Sequence, residues 1–465
     1  MHYSQQNRKL LDNVQFTQLL EIKNSENIMR KLMVLVTLLL LCSRLLVEQS
    51  LAVTAYPYPV QITQRDGTKL TVILQGDEKV KWAKTLDDYA LVFNGQGVYE
   101  YAKLDASGDM VPSGVKARDI MERTPAELSL LTKTQKNLIY SPSQVSIMKQ
   151  VWSNLKSGGP ELAFPTTGSR KLICILMGFT DKAFTKTKLE FQNLFNQVGY
   201  VVDGATGSVK DFFTEASYNQ FNLTVDVSGP FTASKTHAYY GTNVGGTEGN
   251  DEYPQQLVTE AVTLADPTVN FADYDNDGNG WVDGVYVIFA GYGEEAGGDP
   301  NCIWSHAWGI PTVVLDGKSI SSYSCSPELR NASGSGLTRI GVICHEFGHV
   351  LGAPDFYDTN YTTGGSYAGT GYWDLQASGS WNGSLGDGAT PAQPNPYTKA
   401  YVYGWISVTT LTAQTTVTLA NAAQNSTSFY HKYRHLRRVL FVGEPAKGWI
   451  RFVDTRTWIT HLSCE

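Results

Sequence analysis

The alternation of apolar and polar positions changes character several times along the chain, and those changes divide it. Residues 56–120 carry short runs of period two, "TKLTVILQGD" and "YALVFNGQGVYEYAKL", punctuated by Gly, Asp and Asn; they predict a small antiparallel β unit. From Thr124 to about Thr167 the sequence turns polar and then rich in Gly, Pro and Ser ("KSGGPELAFPTTGSR"), which reads as an exposed, cleavable linker. A new pattern begins at Lys171. "KLICILMGFTD" is a buried strand ending in Asp181, and "KTKLEFQNLFNQV" sets Leu189, Leu194 and Val198 close to helical spacing. "SVKDFFTEASYNQFNLTVDVSGPF" reads as a helix turning into a strand. A helix from about Pro254 to Leu264, a strand at "GVYVIFAGYG" and a helical run at "LTRIGVICHEFGHVLG" follow. This order predicts an α/β (α+β) domain on a mixed sheet, and no internal repeat interrupts it.

One apolar run fits neither regime. "MRKLMVLVTLLLLC" sets Arg30 and Lys31 ahead of an uninterrupted stretch from Leu32 to Cys42, and the small residues of "AVTA" follow at Ala52 to Ala55. A basic start, a short apolar core and a small-residue cleavage site make an export signal over residues 29–55, too short for a transmembrane helix. Residues 1–28 lack the pattern and read as a misassigned start upstream of Met29; the alternative is a cytoplasmic extension on a signal anchor. Leu41 ahead of Cys42 is a poor fit to lipidation.

Composition narrows the class. The 465 residues carry a net charge of −7 with 17% charged and 11% aromatic residues, which argues against a nucleic-acid footprint and against disorder. Of the six cysteines, Cys302 and Cys325 lie in polar, turn-rich surroundings where an oxidising compartment would let them pair, whereas Cys174 and Cys344 sit in apolar runs as buried thiols. The Tyr-rich stretches and His306 in "WSHAW" read as packing.

The chemistry concentrates in "HEFGHVLGAPD". On a helix His345 and His349 project from one face and can reach a single ion, with Glu346 beside it. Zinc held by three protein ligands lowers the pKa of its water to about 7, and a carboxylate can take that proton as water attacks a carbonyl. A helix burying two hydrogen-bonded histidines would show the same five residues. Gly352, free to adopt positive φ, and Pro354, which cannot continue the helix, turn the chain back so that Asp355 supplies a third ligand. A second loop, "DYDNDGNGWVDG", alternates Asp275, Asp277 and Asn279, turns at Gly280 and offers Asp283, an oxygen set suited to calcium. Its twelfth position is Tyr286 instead of Glu, so an ion-free Asn/Gly turn is the alternative.

At these residues the chain resembles a known family. "HEFGHVLGAPDFYD" is similar to the zinc signature of the immune inhibitor A family of secreted bacterial metalloproteases, a metzincin-like group. The likeness extends through "DFFTEASYNQFNLT", "FADYDNDGNGWVDGVYVIFAGYGEEAGG", "IWSHAW" and "GTGYWDLQASGSWNG", and "GDEKVKWAKTLDDYALV" resembles the family's pro-segment. The resemblance implies His345, His349 and Asp355 as zinc ligands, Glu346 as general base and a structural calcium ion. It departs at Gln376, where relatives carry a turn methionine beneath the metal; a polar side chain there needs a partner.

The tail from His431 is basic and aperiodic, where relatives continue with a stretch like "EYFLLENRQ". Read one base out of register, the codons for Arg438 to Pro445 can encode EYFLLENR, and those for Asp454 to His461 can encode IPGHGLLI. A shifted frame from about His431 is the reading.

The sequence therefore predicts an export signal at 29–55, a pro-segment and linker at 56–167, a metalloprotease domain at 168–430 and a frame-shifted tail at 431–465. The expected function is a secreted zinc endopeptidase made as a zymogen, acting on proteins or peptides, with no nucleic-acid partner and no membrane association after signal cleavage. Its rivals are a secreted binding or adhesion protein on a protease scaffold and an unrelated zinc hydrolase.

Overall fold

The computed structural model describes residues 53–94, 97–155, 164–243, 251–361, 367–384, 386–411, 428–433, 436–441 and 451–454. The export pattern up to Ala52, the glycine-rich part of the linker at 156–163, Cys42 and Cys464 lie outside them. Among the described residues no helix is long and apolar enough to cross a membrane.

Six strands form an antiparallel meander: β1 (Val60–Thr63), β2 (Lys69–Gly76), β3 (Lys81–Thr85), β4 (Ala90–Phe93), β5 (Tyr99–Leu104) and β6 (Met110–Lys116). Period-two patterning explains it: Leu70, Val72 and Leu74 of β2 are buried while their neighbours face outward. Gly76 takes φ 95°, and a Cβ there would lie 1.9 Å from the Val80 carbonyl oxygen, so the loop from Asp77 to Val80 closes only around glycine.

Part of the expected linker is helical. Thr124 and Glu127 form a reciprocal capping box, with Pro125 at the first helical position, and start α1 (Pro125–Leu131); α2 (Pro142–Leu155) follows. Leu131 and Val145 are buried against the meander, so tertiary burial overrides a polar composition.

The second sheet holds β7 (Gly168–Gly178), β8 (Phe221–Thr232), β9 (Val285–Tyr292), β10 (His306–Leu315) and β11 (Lys318–Leu329), in the order β10-β11-β9-β7-β8, with only β10 antiparallel. Central β7 is buried on both faces, which is why it reads as a continuous apolar run. Leu172, Cys174 and Leu176 face one core with α3 (Lys188–Asn196) and α4 (Val209–Ala216), while Ile173, Ile175 and Met177 face the other with α5 (Pro254–Ala265). In α3 the buried stripe is Phe191, Leu194 and Phe195; Leu189 and Val198 are exposed, Val198 because the helix has already ended at Asn196. The last helix, α6 (Ile340–Val350), packs Ile343 and Phe347 into the first core.

A third, four-stranded sheet joins β12 (Val408–Leu411), β13 (Ser428–Tyr433), β14 (Leu436–Phe441) and β15 (Arg451–Asp454), so the tail from His431 contributes backbone to it.

Candidate metal centre and catalytic site

All eleven residues of α6 are buried, and the helix delivers His345 and His349 to one point. Nδ1 of His345 lies 2.7 Å from the Leu375 carbonyl oxygen, and Nδ1 of His349 lies 2.7 Å from that of Ala353. Each contact fixes the proton on Nδ1 and leaves Nε2 as a lone pair. The two Nε2 atoms face each other at 3.0 Å, and Oδ1 of Asp355 lies 3.4 and 3.3 Å from them. Two lone pairs and a carboxylate oxygen converging in a buried space repel unless a cation stands among them, so these residues fit zinc. Burial disfavours ionising Asp355, but the two imidazoles hold its carboxyl below the usual range; burial likewise lowers His349.

The turn that brings Asp355 back is the expected one. Gly352 adopts φ 98°, its N–H donates to the His349 carbonyl, and the Ala353 N–H donates to that of Gly348. Beneath the histidines the segment after Asp374 is clamped: the Asp374 carboxylate accepts from the N–H groups of Gln376 and Asn395 and from the Asn395 amide. Gln376 therefore occupies the position under the metal pocket. Its Nε2 donates to the His345 carbonyl at 3.2 Å and lies 3.0 Å from Nδ1 of His349, while its buried Oε1 has no hydrogen-bond partner among the described residues.

Glu346 is fully buried, and burial pushes its carboxyl well above the usual range. Its Oε1 accepts the backbone N–H of Val53 at 2.9 Å; its Oε2 has no hydrogen-bond partner among the described residues. Val53, Thr54 and Ala55, assigned to the export segment by the sequence reading, lie within this folded body. The Trp304 indole donates to the Val53 carbonyl at 3.0 Å and the Trp381 indole to that of Thr54 at 3.0 Å, while the Tyr56 N–H donates to the Glu295 carbonyl at 2.8 Å.

Other candidates behave differently. The Asp275 carboxylate accepts from the Asn279 and Gly280 N–H groups and from Lys318 at 2.6 Å, whereas Asp283 turns to the Asn276 backbone and amide. Asp277 accepts from Asn279. The loop thus ties Asp275 and Asp277 to its own backbone, and Asp275 also to Lys318, while the buried Oδ1 of Asp283 has no hydrogen-bond partner among the described residues. Among the described residues, only His345, His349 and Asp355 bring three His, Cys, Asp or Glu ligand atoms within 4.8 Å of one another. Cys302 and Cys325 are both buried free thiols instead of partners, Cys325 lying 3.6 Å from Nδ1 of His306. His306 is enclosed between the Trp304 carbonyl and the Tyr323 hydroxyl, and burial lowers it to about 4.

Residues 177–406 match the catalytic domain of the immune inhibitor A peptidases, M6. These residues form a peptidase domain of that family. The M6 match covers β8 to α6 and the segments that carry His345, His349, Asp355 and Gln376. A pre-pro-metalloprotease, PrtV, of Vibrio cholerae is 32% identical over 306 residues, covering 57% of this chain and 32% of that protein. Immune inhibitor A of Bacillus thuringiensis is 29% identical over 224 residues, 41% of this chain and 31% of that one. The chain thus spans about a third of the length of these curated relatives. Sequence reasoning gave Val53, Trp304 and Lys81 no role around this M6 site; the local hints were "AVTA", "IWSHAW" and the charged loop "GDEKVKW".

Proposed function

We propose that this chain is a secreted, zinc-dependent endopeptidase of metzincin-like architecture, made as a zymogen whose pro-segment, the meander with α1 and α2, lies ahead of a catalytic domain starting near residue 168. The observation that carries the reading is the convergence of His345 Nε2, His349 Nε2 and Asp355 Oδ1 beside Glu346. When bound, zinc supplies Lewis acidity, lowering the pKa of a water and polarising the scissile carbonyl. The chain's own residues do the rest. Leu375 and Ala353 orient the imidazoles through their carbonyls, and Glu346 takes the proton from the attacking water and passes it to the leaving amine.

Latency follows from Val53, whose N–H takes one oxygen of the general base while its carbonyl is tied to Trp304. A substrate cannot reach Glu346 until that segment leaves. Export rests on the basic and apolar pattern from Met29, with signal cleavage upstream of Ala52, which keeps the Val53 nitrogen in a peptide bond, better suited to this burial than cleavage after Ala55. One observation favours the rival reading of an impaired scaffold, namely the partnerless Oε1 of Gln376 under the metal pocket. Zinc stoichiometry and casein hydrolysis by the linker-cleaved chain decide between them: one zinc with hydrolysis supports the enzyme, and zinc without hydrolysis supports the scaffold.

A further inference from the structure

Lys81 begins β3, in the segment the proposed zymogen sheds, yet its side chain is only 4% exposed and reaches into the peptidase domain. Its ammonium donates to Oδ1 of Asn243 at 2.9 Å and to the Glu294 carboxylate, and stands 3.7 Å from Oδ1 of Asp251. The Trp304 ring lies under it at 5.6 Å. Asp251 is 2% exposed; its Oδ2 accepts the Trp304 N–H at 2.8 Å, while its Oδ1 has no hydrogen-bond partner among the described residues and faces the ammonium. Two carboxylates, an amide oxygen and an indole face are the surroundings that recognise a primary ammonium on an aliphatic stem.

The position of this pocket gives it meaning. The indole under Lys81 is the one whose Nε1 holds the Val53 carbonyl, and the Val53 N–H rests on Glu346. One side chain therefore separates the pocket from the segment that covers the general base, a distance a few extended residues span. Departure of Lys81 removes a positive charge from between the Asp251 and Glu294 carboxylates, a cost that a new cation relieves.

We propose that this pocket is a substrate subsite for a lysine side chain, which Lys81 fills in the zymogen. The inference rests on the zymogen reading, since the pocket opens only when the pro-segment leaves.

Two measurements test it. In the full chain, Lys81→Ala empties the pocket without any cleavage, and n-butylammonium is expected to raise its melting temperature while n-butanol at equal concentration does not; equal effects overturn the pocket's chemistry. In the linker-cleaved enzyme, kcat/KM is compared for peptide pairs with lysine or norleucine at each of the four positions either side of the scissile bond. At least a tenfold preference for lysine at one position, erased as a ratio in Glu294→Gln, is the expected result. Equal cleavage of every pair overturns the subsite and leaves the zymogen reading intact. A cleaved chain that hydrolyses no peptide overturns the zymogen reading and the subsite with it.

Discussion

The backbone N–H of Val53 donates to Oε1 of Glu346 at 2.9 Å, across 293 positions of sequence. A hydrogen bond to a carboxylate is worth about 1.5–3 kcal/mol. Val53→Pro deletes this donor, and the uncleaved chain is expected to show roughly tenfold or greater hydrolysis of a fluorogenic peptide than the parent. No rise in basal hydrolysis would mean that Val53 does not guard the base.

Glu346 carries the proton transfer in this scheme while the three ligands hold the metal. Glu346→Ala should retain one zinc per chain by elemental analysis and lose about 10²–10⁴-fold in kcat after linker cleavage. A fully active variant would remove Glu346 from the mechanism.

Gln376 presents a different energetic problem, a buried amide oxygen without a partner. Gln376→Met keeps the volume and removes that atom, which is expected to stabilise the full chain by about 1 kcal/mol or more, read as an upward shift in melting temperature. A fall would show that the Nε2 donation to the His345 carbonyl outweighs the stranded oxygen.

His306 provides the pH dependence. Burial lowers it from 6.5 to about 4, so the unfolded chain binds the extra proton first as pH falls. Its contribution is fully present above pH 6.5 and is lost as pH falls through about 4, a swing of about 3 kcal/mol at most. Urea midpoints at pH 7 and pH 4.5 should therefore separate less in His306→Gln than in the parent. Equal separation would assign the acid sensitivity elsewhere.

What was legible in the sequence was local. His345, Glu346, His349, Gly352 and Asp355 are read off one helix and its turn, because spacing alone sets which side chains meet. The β9 and β7 runs were legible because two-sided burial leaves no polar interruption. Helix α1 was hidden by a polar composition, although Thr124 and Glu127 spelled its capping box. Contacts made by Val53 and Lys81 were illegible for another reason: their partners stand 293 and 213 positions away, and no periodicity reports on such distances. The calcium reading rested on the spacing from Asp275 to Asp283, which does not report that Asp275 also bonds the loop's own backbone and Lys318.

The meander shares a core with the peptidase domain: Leu70, Val72 and Tyr101 pack in one cluster with Ala296, Trp304, Val342 and Trp381. The segment is thus less a cover laid over a finished enzyme than one half of a hydrophobic interior. Its loss turns Val342 and Trp381 from core into surface, and a catalytic domain synthesised without it would have to collapse around an apolar face with nothing to meet it. Refolding of a chain beginning at residue 164 should accordingly give lower soluble yield than the full chain, and the pro-segment would act as a folding template before it acts as a restraint.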